Sequence, residues 1–208
     1  MNPSLPEQRI ISESFALFAR FGIKNVTMDD IARHLGMSKK TIYQHYDDKN
    51  KLVKAIVQAS IEDHVRHFED FVSVSKNAIE EMLHIMNYMS STFAKINPNM
   101  FYDMQRYHPE AWQHFRSFKE KKAYEHITAN LEKGKSQGLY RKDFSIRILA
   151  QLRLEEVELA INPACFPADK YNLHDVQVQL LDHFLHGICT LKGHKLLNKY
   201  KQLTEDED

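Results

Sequence analysis

The sequence predicts an all-α protein: an N-terminal three-helix module containing a helix-turn-helix, joined by one long helix to a larger C-terminal helical region. Three observations predict this. Apolar residues recur at i, i+3 or i+4, and i+7 in segment after segment, the spacing of one buried helix face. Gly, Pro and Asn punctuate the chain at helix-length intervals, at Gly22, Gly36, Asn97-Pro98 and Asn162-Pro163. No stretch alternates apolar and polar residues as a half-buried strand would, and no internal repeat is evident.

The first helix spans Pro6 to Phe21. Ile11, Phe15 and Phe18 fall at i, i+4 and i+7, Ile10, Leu17 and Phe21 widen the stripe, and Gly22 ends it. Arg9, near its N-terminus, can reach phosphate. Thr27 followed by Asp30 is a capping box opening the second helix, with Asp29 and Asp30 at the positive end of its dipole. Ile31, Ala32 and Leu35 give that helix one apolar side. Gly36 stops it, because a left-handed residue after the last turn costs glycine least. Ser38 can cap a third helix over Lys39 to His45. Helix, Gly-containing turn, helix is the arrangement that sets its second helix in the DNA major groove. Met37 and Ile42 anchor that helix. Lys39, Lys40, Thr41, Tyr43, Gln44 and His45 remain as donors and acceptors. Gln and short polar side chains suit base edges, whereas Lys and Tyr suit phosphates. Lys49 and Lys51 lie at the start of the following helix, where backbone N–H groups also attract phosphate.

Asp47 and Asp48 can cap a fourth helix from about Lys49 to Phe71, along which Leu52, Ile56, Val57, Ile61, Val65 and Phe68 keep helical spacing. Ser75 can cap the next helix, Ala78 to Ile96, with Ile79, Met82, Leu83, Met86, Met89 and Phe93 on one face. A short segment, Met100 to Tyr107, follows. Pro109 suits the first position of a helix running from about Glu110 to Gln137, with Gly134 and Gly138 at its end. Asp143 can cap a helix from Phe144 to about Ile161. A last helix covers His174 to Lys192. The acidic run Glu205-Asp206-Glu207-Asp208 reads as a disordered tail.

Composition excludes several classes. At 208 residues the chain can bury a true core, and its formal net charge is zero, so overall charge neither supports nor opposes a nucleic-acid partner. Cys165 and Cys189 have neither metal-ligand spacing nor the density of a secreted scaffold, and both read as small core residues. No stretch approaches the ~20 apolar residues of a membrane span, and no leader pattern opens the chain. A soluble, cytoplasmic protein is the expectation.

The segment from about Arg9 to Leu52 closely resembles the N-terminal domain of the TetR/AcrR family of transcriptional regulators. The matching residues are Ala16-Leu17-Phe18, Phe21-Gly22, Val26-Thr27-Met28-Asp29-Asp30-Ile31-Ala32, Leu35-Gly36-Met37-Ser38, Thr41-Ile42-Tyr43, Tyr46, Lys49 and Leu52. The resemblance implies a homodimer binding a near-palindromic double-stranded operator. Ser38 to His45 would enter the major groove, Tyr43 and Lys49 would hold phosphates, and Thr27 and Tyr46 complete the DNA-binding set. It also implies a DNA-binding domain over residues 1–50, a ligand-binding and dimerisation domain over 51–200, and a long fourth helix acting as a lever. Lys40 departs from the small residue common there and adds charge at the groove.

Two features of the second domain bear on an effector. Large adaptable side chains gather at Met86, Phe93, Phe101, Met104, Tyr107, Trp112 and Phe115, residues of the kind that line apolar pockets. Glu155 and Glu156, with Arg153, interrupt an apolar helix, and pairing within the domain, a dimer contact or a polar ligand group would each explain them. The last two long helices resemble the family's dimer interface, with Leu149, Leu180, Phe184, Gly187 and Ile188 as candidates. Gly187 in mid-helix suggests a close helix crossing. His64/His67 and His183/His186 are i, i+3 pairs without a third ligand, so no metal or other cofactor is expected. No nucleophile is paired with a base at fixed spacing, so no enzyme is expected either. The reading is a dimeric transcriptional repressor released by a small apolar or aromatic molecule. The alternatives are a helical ligand-binding or interaction protein, or an activator or architectural DNA binder without an inducer.

Overall fold

The computed structural model describes residues 5–201, except residues 95 and 98 and the side chain of Phe93. The acidic run at 205–208 and the Phe93 side chain, assigned above to a tail and to an apolar site, lie outside the described residues. The helices are α1 (Leu5–Phe21), α2 (Met28–Leu35), α3 (Lys39–His45), α4 (Lys49–Val74), α5 (Ala78–Phe93), α6 (Asn99–Tyr107), α7 (Pro109–Phe118), a π-helical turn (Lys119–Ala123), α8 (Tyr124–Ser136), α9 (Ile146–Ile161), α10 (Leu173–Ile188) and α11 (Leu191–Lys201). Among the described residues the extended pairing is a single bridge, Tyr140 with Cys189.

The chain packs as two compact units, Met1–His64 with Lys95–Phe118, and Val65–Ala94 with Lys119–Asp208. These differ from a division near residue 50. In the first unit Ile10, Phe18, Ile23, Ile31, Leu35, Ile42, Leu52 and Ile56 are buried, and so are Met100, Met104 and Ala111. The polar ties explain why α6 and α7 belong there. The buried Asp103 carboxylate of α6 accepts the Lys24 N–H at 2.8 Å, and the Asn97 N–H donates to the Ala19 carbonyl at 2.6 Å. His108 Nδ1 lies 2.6 Å from Asn50 Oδ1, and Lys54 donates to Glu110 at 2.9 Å. A break in the helical pattern marks where a helix ends, not which neighbours it packs against.

The second unit is built around Ile79, Met82, Leu131, Tyr140, Ala150, Leu181, Phe184, Leu185, Ile188 and Leu197. A polar chain runs through it. The Tyr140 hydroxyl donates to Asn130 Oδ1 at 3.1 Å, Asn130 donates to Glu81 Oε1 at 2.8 Å, and Lys133 donates to Glu81 Oε2 at 2.8 Å. Tyr140 lies against Gly134, where an added Cβ would stand 1.9 Å from the ring.

Several boundaries differ from the sequence expectation. Asn77, not Ser75, caps α5, accepting the N–H groups of Ile79 and Glu80, while Ser75 Oγ meets His84 Nδ1 at 3.0 Å. Ser145, not Asp143, caps α9, and Asp143 pairs with Arg141. The helix expected over 110–137 is interrupted by the π-helical turn, which carries Lys119 inward to Glu158 at 2.6 Å. The last predicted helix ends instead at Cys189. Thr190 N–H donates to the Leu139 carbonyl at 2.9 Å, and Thr190 Oγ1 then accepts the Gly193 N–H, starting α11. Cys189 is buried as expected, but Cys165 is exposed in the loop after α9.

Candidate nucleic-acid interface

Local chemistry builds the helix-turn-helix. Thr27 Oγ1 accepts the Asp30 N–H at 3.1 Å and the Asp30 carboxylate takes the Thr27 N–H at 2.9 Å, so the capping box is closed in both directions. The Thr27 hydroxyl, 2.6 Å from the same carboxylate, and the Thr27 backbone N–H hold the Asp30 pKa below its ordinary value. Gly36, at φ +64°, caps α2 in the left-handed region, and its N–H returns to the last turn. Ser38 Oγ accepts the Thr41 N–H at 3.1 Å and opens α3. Fully buried Ile42 then pins α3 to the unit, while Lys39, Lys40, Tyr43 and Gln44 face solvent and Thr41 is half-buried. An anchored seven-residue helix with one polar, donor-rich face can enter a major groove.

Not every predicted contact residue faces outward. His45 Nδ1 lies 3.6 Å from Glu7 on α1, so it faces α1. Tyr46 is half-buried beside the same acid, and burial pushes its phenol pKa up, with Glu7 adding to the effect. Lys49 turns inward to the Ile23 carbonyl at 2.5 Å. Burial lowers the pKa of its ammonium, and Asp103 and Asp30 oppose that shift. Arg9 donates to the Leu35 carbonyl at 3.1 Å, serving the end of α2. These four long side chains meet partners on neighbouring elements, which residue spacing does not reveal. Lys39 pairs with Asp29 at 2.5 Å, whereas Lys40 makes no hydrogen bond or ion pair among the described residues.

The residues proposed for an effector are distributed between the units. In the first, Met104 is buried, Tyr107 is exposed, and half-buried Phe101, Trp112 and Phe115 stack, with centroids 6.0 Å apart for Phe101–Phe115 and 5.4 Å for Trp112–Phe115. In the second, Met86 is half-buried. Glu156 is paired with Arg153 at 2.9 Å, and Glu155 lies 3.6 Å from Lys119 and accepts from Gln151 at 2.7 Å. Both acids thus have partners within the second unit, Glu156 buried and Glu155 exposed.

Of the dimer-interface candidates, two are taken up by the core of their own unit and three keep exposed surface. Phe184 and Ile188 belong to the core of their own unit, and Leu149 and Leu180 are half-buried. Gly187 is exposed, with nothing within 4 Å of an added Cβ, so no helix of this chain crosses closely there. The exposed apolar stripe lies instead on α9: Ile148, Leu152 and Leu159 are 66%, 47% and 41% exposed, with exposed Glu155 between them. Helical spacing sets Ile148, Leu152 and Leu159 on one face with Glu155, but periodicity alone does not say which apolar face is inward.

The fold and the recognition helix define a helix-turn-helix transcriptional regulator. The sequence model of the bacterial regulatory proteins of the tetR family matches residues 10–56. The chain is 24% identical over 183 residues to YvaF, an uncharacterised HTH-type transcriptional regulator of Bacillus subtilis, covering 88% of this chain and 95% of that one. Its fold is similar to that of a transcriptional regulator from Saccharomonospora viridis in complex with choline, with a TM-score of 0.71 at 19% identity, covering 90% of this chain and all (100%) of that one. It is similar also to FadR of Bacillus subtilis in complex with stearoyl-CoA, with a TM-score of 0.65 at 17% identity, covering 87% and 98%. Residues 10–56 match the DNA-binding domain of the tetR family, and the chain is an all-α regulator of transcription with a helix-turn-helix. Among the described residues no helix is long and apolar enough to cross a membrane.

Proposed function

We propose that the protein is a dimeric repressor that leaves a near-palindromic operator when a small apolar or aromatic molecule binds its C-terminal region. The observation that carries the DNA-binding half is the outward face of α3, where Lys40, Tyr43 and Gln44 are exposed while Ile42 is fully buried. Dimerisation is supported by the α9 stripe of Ile148, Leu152 and Leu159, large apolar side chains standing in water along one helix face. A two-fold interface uses the same patch twice, and such a stripe is self-complementary. A dimer sets two recognition helices at a fixed separation, and a palindromic site follows from that symmetry.

For an effector, the support is a set of half-buried rings in the second unit. Tyr88 stands 4.4 Å from His67 and 5.8 Å from Phe71, and Phe68 lies 5.1 Å from His126 between centroids. Rings neither sealed in a core nor fully solvated suit contact with an apolar molecule. By linkage, an effector that weakens operator binding must bind the operator-bound protein more weakly by the same factor. The test is DNA retention from the source genome with and without added ligand, choline and stearoyl-CoA being the first probes because they occupy relatives of the same fold. Retention of a shared site that a ligand abolishes supports the whole reading. Retention that no ligand alters leaves a regulator without this inducer mechanism.

A further inference from the structure

Two adjacent lysines open the recognition helix, and the structure treats them differently. Lys39 Nζ sits 2.5 Å from Asp29 Oδ2, although both side chains are well exposed. Lys40 makes no hydrogen bond or ion pair among the described residues. Asp29 comes from the first turn of α2, whose positive dipole end favours a carboxylate there independently of Lys39. Lys39, by contrast, occupies the first position of α3, where a cation is disfavoured by the same effect. The acid is therefore fixed by its own helix, and the lysine gains by pairing with it. In a helix-turn-helix the first residues of the second helix approach the bases, so this pair lies at the DNA-facing surface.

We propose that Asp29 is an affinity-setting residue: it withholds the Lys39 ammonium from phosphate and leaves Lys40 as the cation offered to DNA. This rests on the DNA-binding reading above. The pair is exposed and so weak, which makes it a brake of a few-fold rather than a block. A phosphate must compete with Asp29 for Lys39, and the exchange releases little net counterion. Releasing Lys39 would add one phosphate contact of the kind that binds every sequence alike.

The experiment measures binding of a random-sequence 30-base-pair duplex over a salt series, for the full chain and five variants: Lys39→Ala, Lys40→Ala, Asp29→Asn, Asp29→Asn with Lys39→Ala, and Asp29→Ser. Asp29→Asn should tighten binding roughly two- to five-fold at low salt. It should also steepen the slope of log affinity against log salt by about 0.9. In the Lys39→Ala background the same substitution should leave the slope unchanged, because no cation remains to be released. In the otherwise unaltered protein, Lys40→Ala should flatten the slope by about 0.9, while Lys39→Ala changes it little. Asp29→Ser, which keeps a side chain favourable at a helix start, should repeat the Asn result, and circular dichroism confirms that each variant is folded. Equal gains with and without Lys39 would overturn the proposal, reducing Asp29 to a charge that merely repels phosphate. An unchanged slope in Asp29→Asn would overturn it too. If the unaltered chain binds no duplex at low salt, the DNA-binding reading itself fails and the brake with it.

Discussion

Alanine at Gly134 and at Gly187 should move stability in opposite directions, although both glycines lie in helices. On an open helix surface, glycine to alanine gains up to about 1 kcal/mol. At Gly187 nothing lies within 4 Å of the new Cβ, so that gain should be realised. At Gly134 the new Cβ would stand 1.9 Å from Tyr140 Cδ2 and 2.2 Å from Cε2. Carbon atoms rest about 3.5–4.0 Å apart, so the ring must retreat by more than an ångström. Tyr140 is fully buried and cannot do so freely. Overpacking of this kind costs about 1–3 kcal/mol. Moving the ring also withdraws its hydroxyl from Asn130 Oδ1 in the buried chain that continues to Glu81, at about 1–3 kcal/mol for a buried group left unpaired. The net expectation is a loss of about 2–4 kcal/mol for Gly134→Ala, or a fall in Tm of roughly 5–15 °C at this chain length. Urea titration followed by far-UV circular dichroism reads both variants. A Gly134→Ala protein as stable as Gly187→Ala would refute the packing argument.

Further expectations follow from single sites. Ile148→Glu with Leu152→Glu should convert a species of twice 24.5 kDa into one of 24.5 kDa by light scattering, if α9 forms the dimer face. Gln44→Ala should relax preference at particular base pairs by about 1–3 kcal/mol, read by binding selection, while Tyr43→Ala weakens all sequences together. Asp103→Ala removes the acceptor of the Lys24 N–H and should cost about 1.5–3 kcal/mol in a urea melt. His108 is held below the usual 6.5 by burial and by the Lys49 charge, and His126 by burial. Each native imidazole binds fewer protons than the unfolded one, so this contribution is complete above about pH 6.5 and is lost as pH falls through the window below it. Melts at pH 7.5 and 5.5 should show the loss, and His108→Asn should reduce it.

Local chemistry made the first fifty residues legible. The Thr27–Asp30 box, Gly36 and Ser38 each act within a few residues along the chain, and the structure realises all three. Legibility failed where the deciding neighbour is distant in sequence. Lys49 and His45 carry the right chemistry for DNA, yet Ile23 and Glu7 receive them. Gly187, the candidate for a close helix crossing, is open within its own chain, whereas Gly134, placed by the sequence at a helix end, is not. Tyr140 makes Gly134 the crowded one, and no periodicity encodes that. Helix α11 was missed because its start depends on Thr190 reaching back to Leu139, about fifty residues earlier.

The most direct test of the account is sequencing of genomic fragments retained by the full chain at two salt concentrations. A shared near-palindrome whose retention falls steeply with salt is the predicted result, since paired recognition helices need a symmetric site and phosphate contacts release counterions. Salt-sensitive retention without any shared sequence, or no retention at low salt, would contradict it.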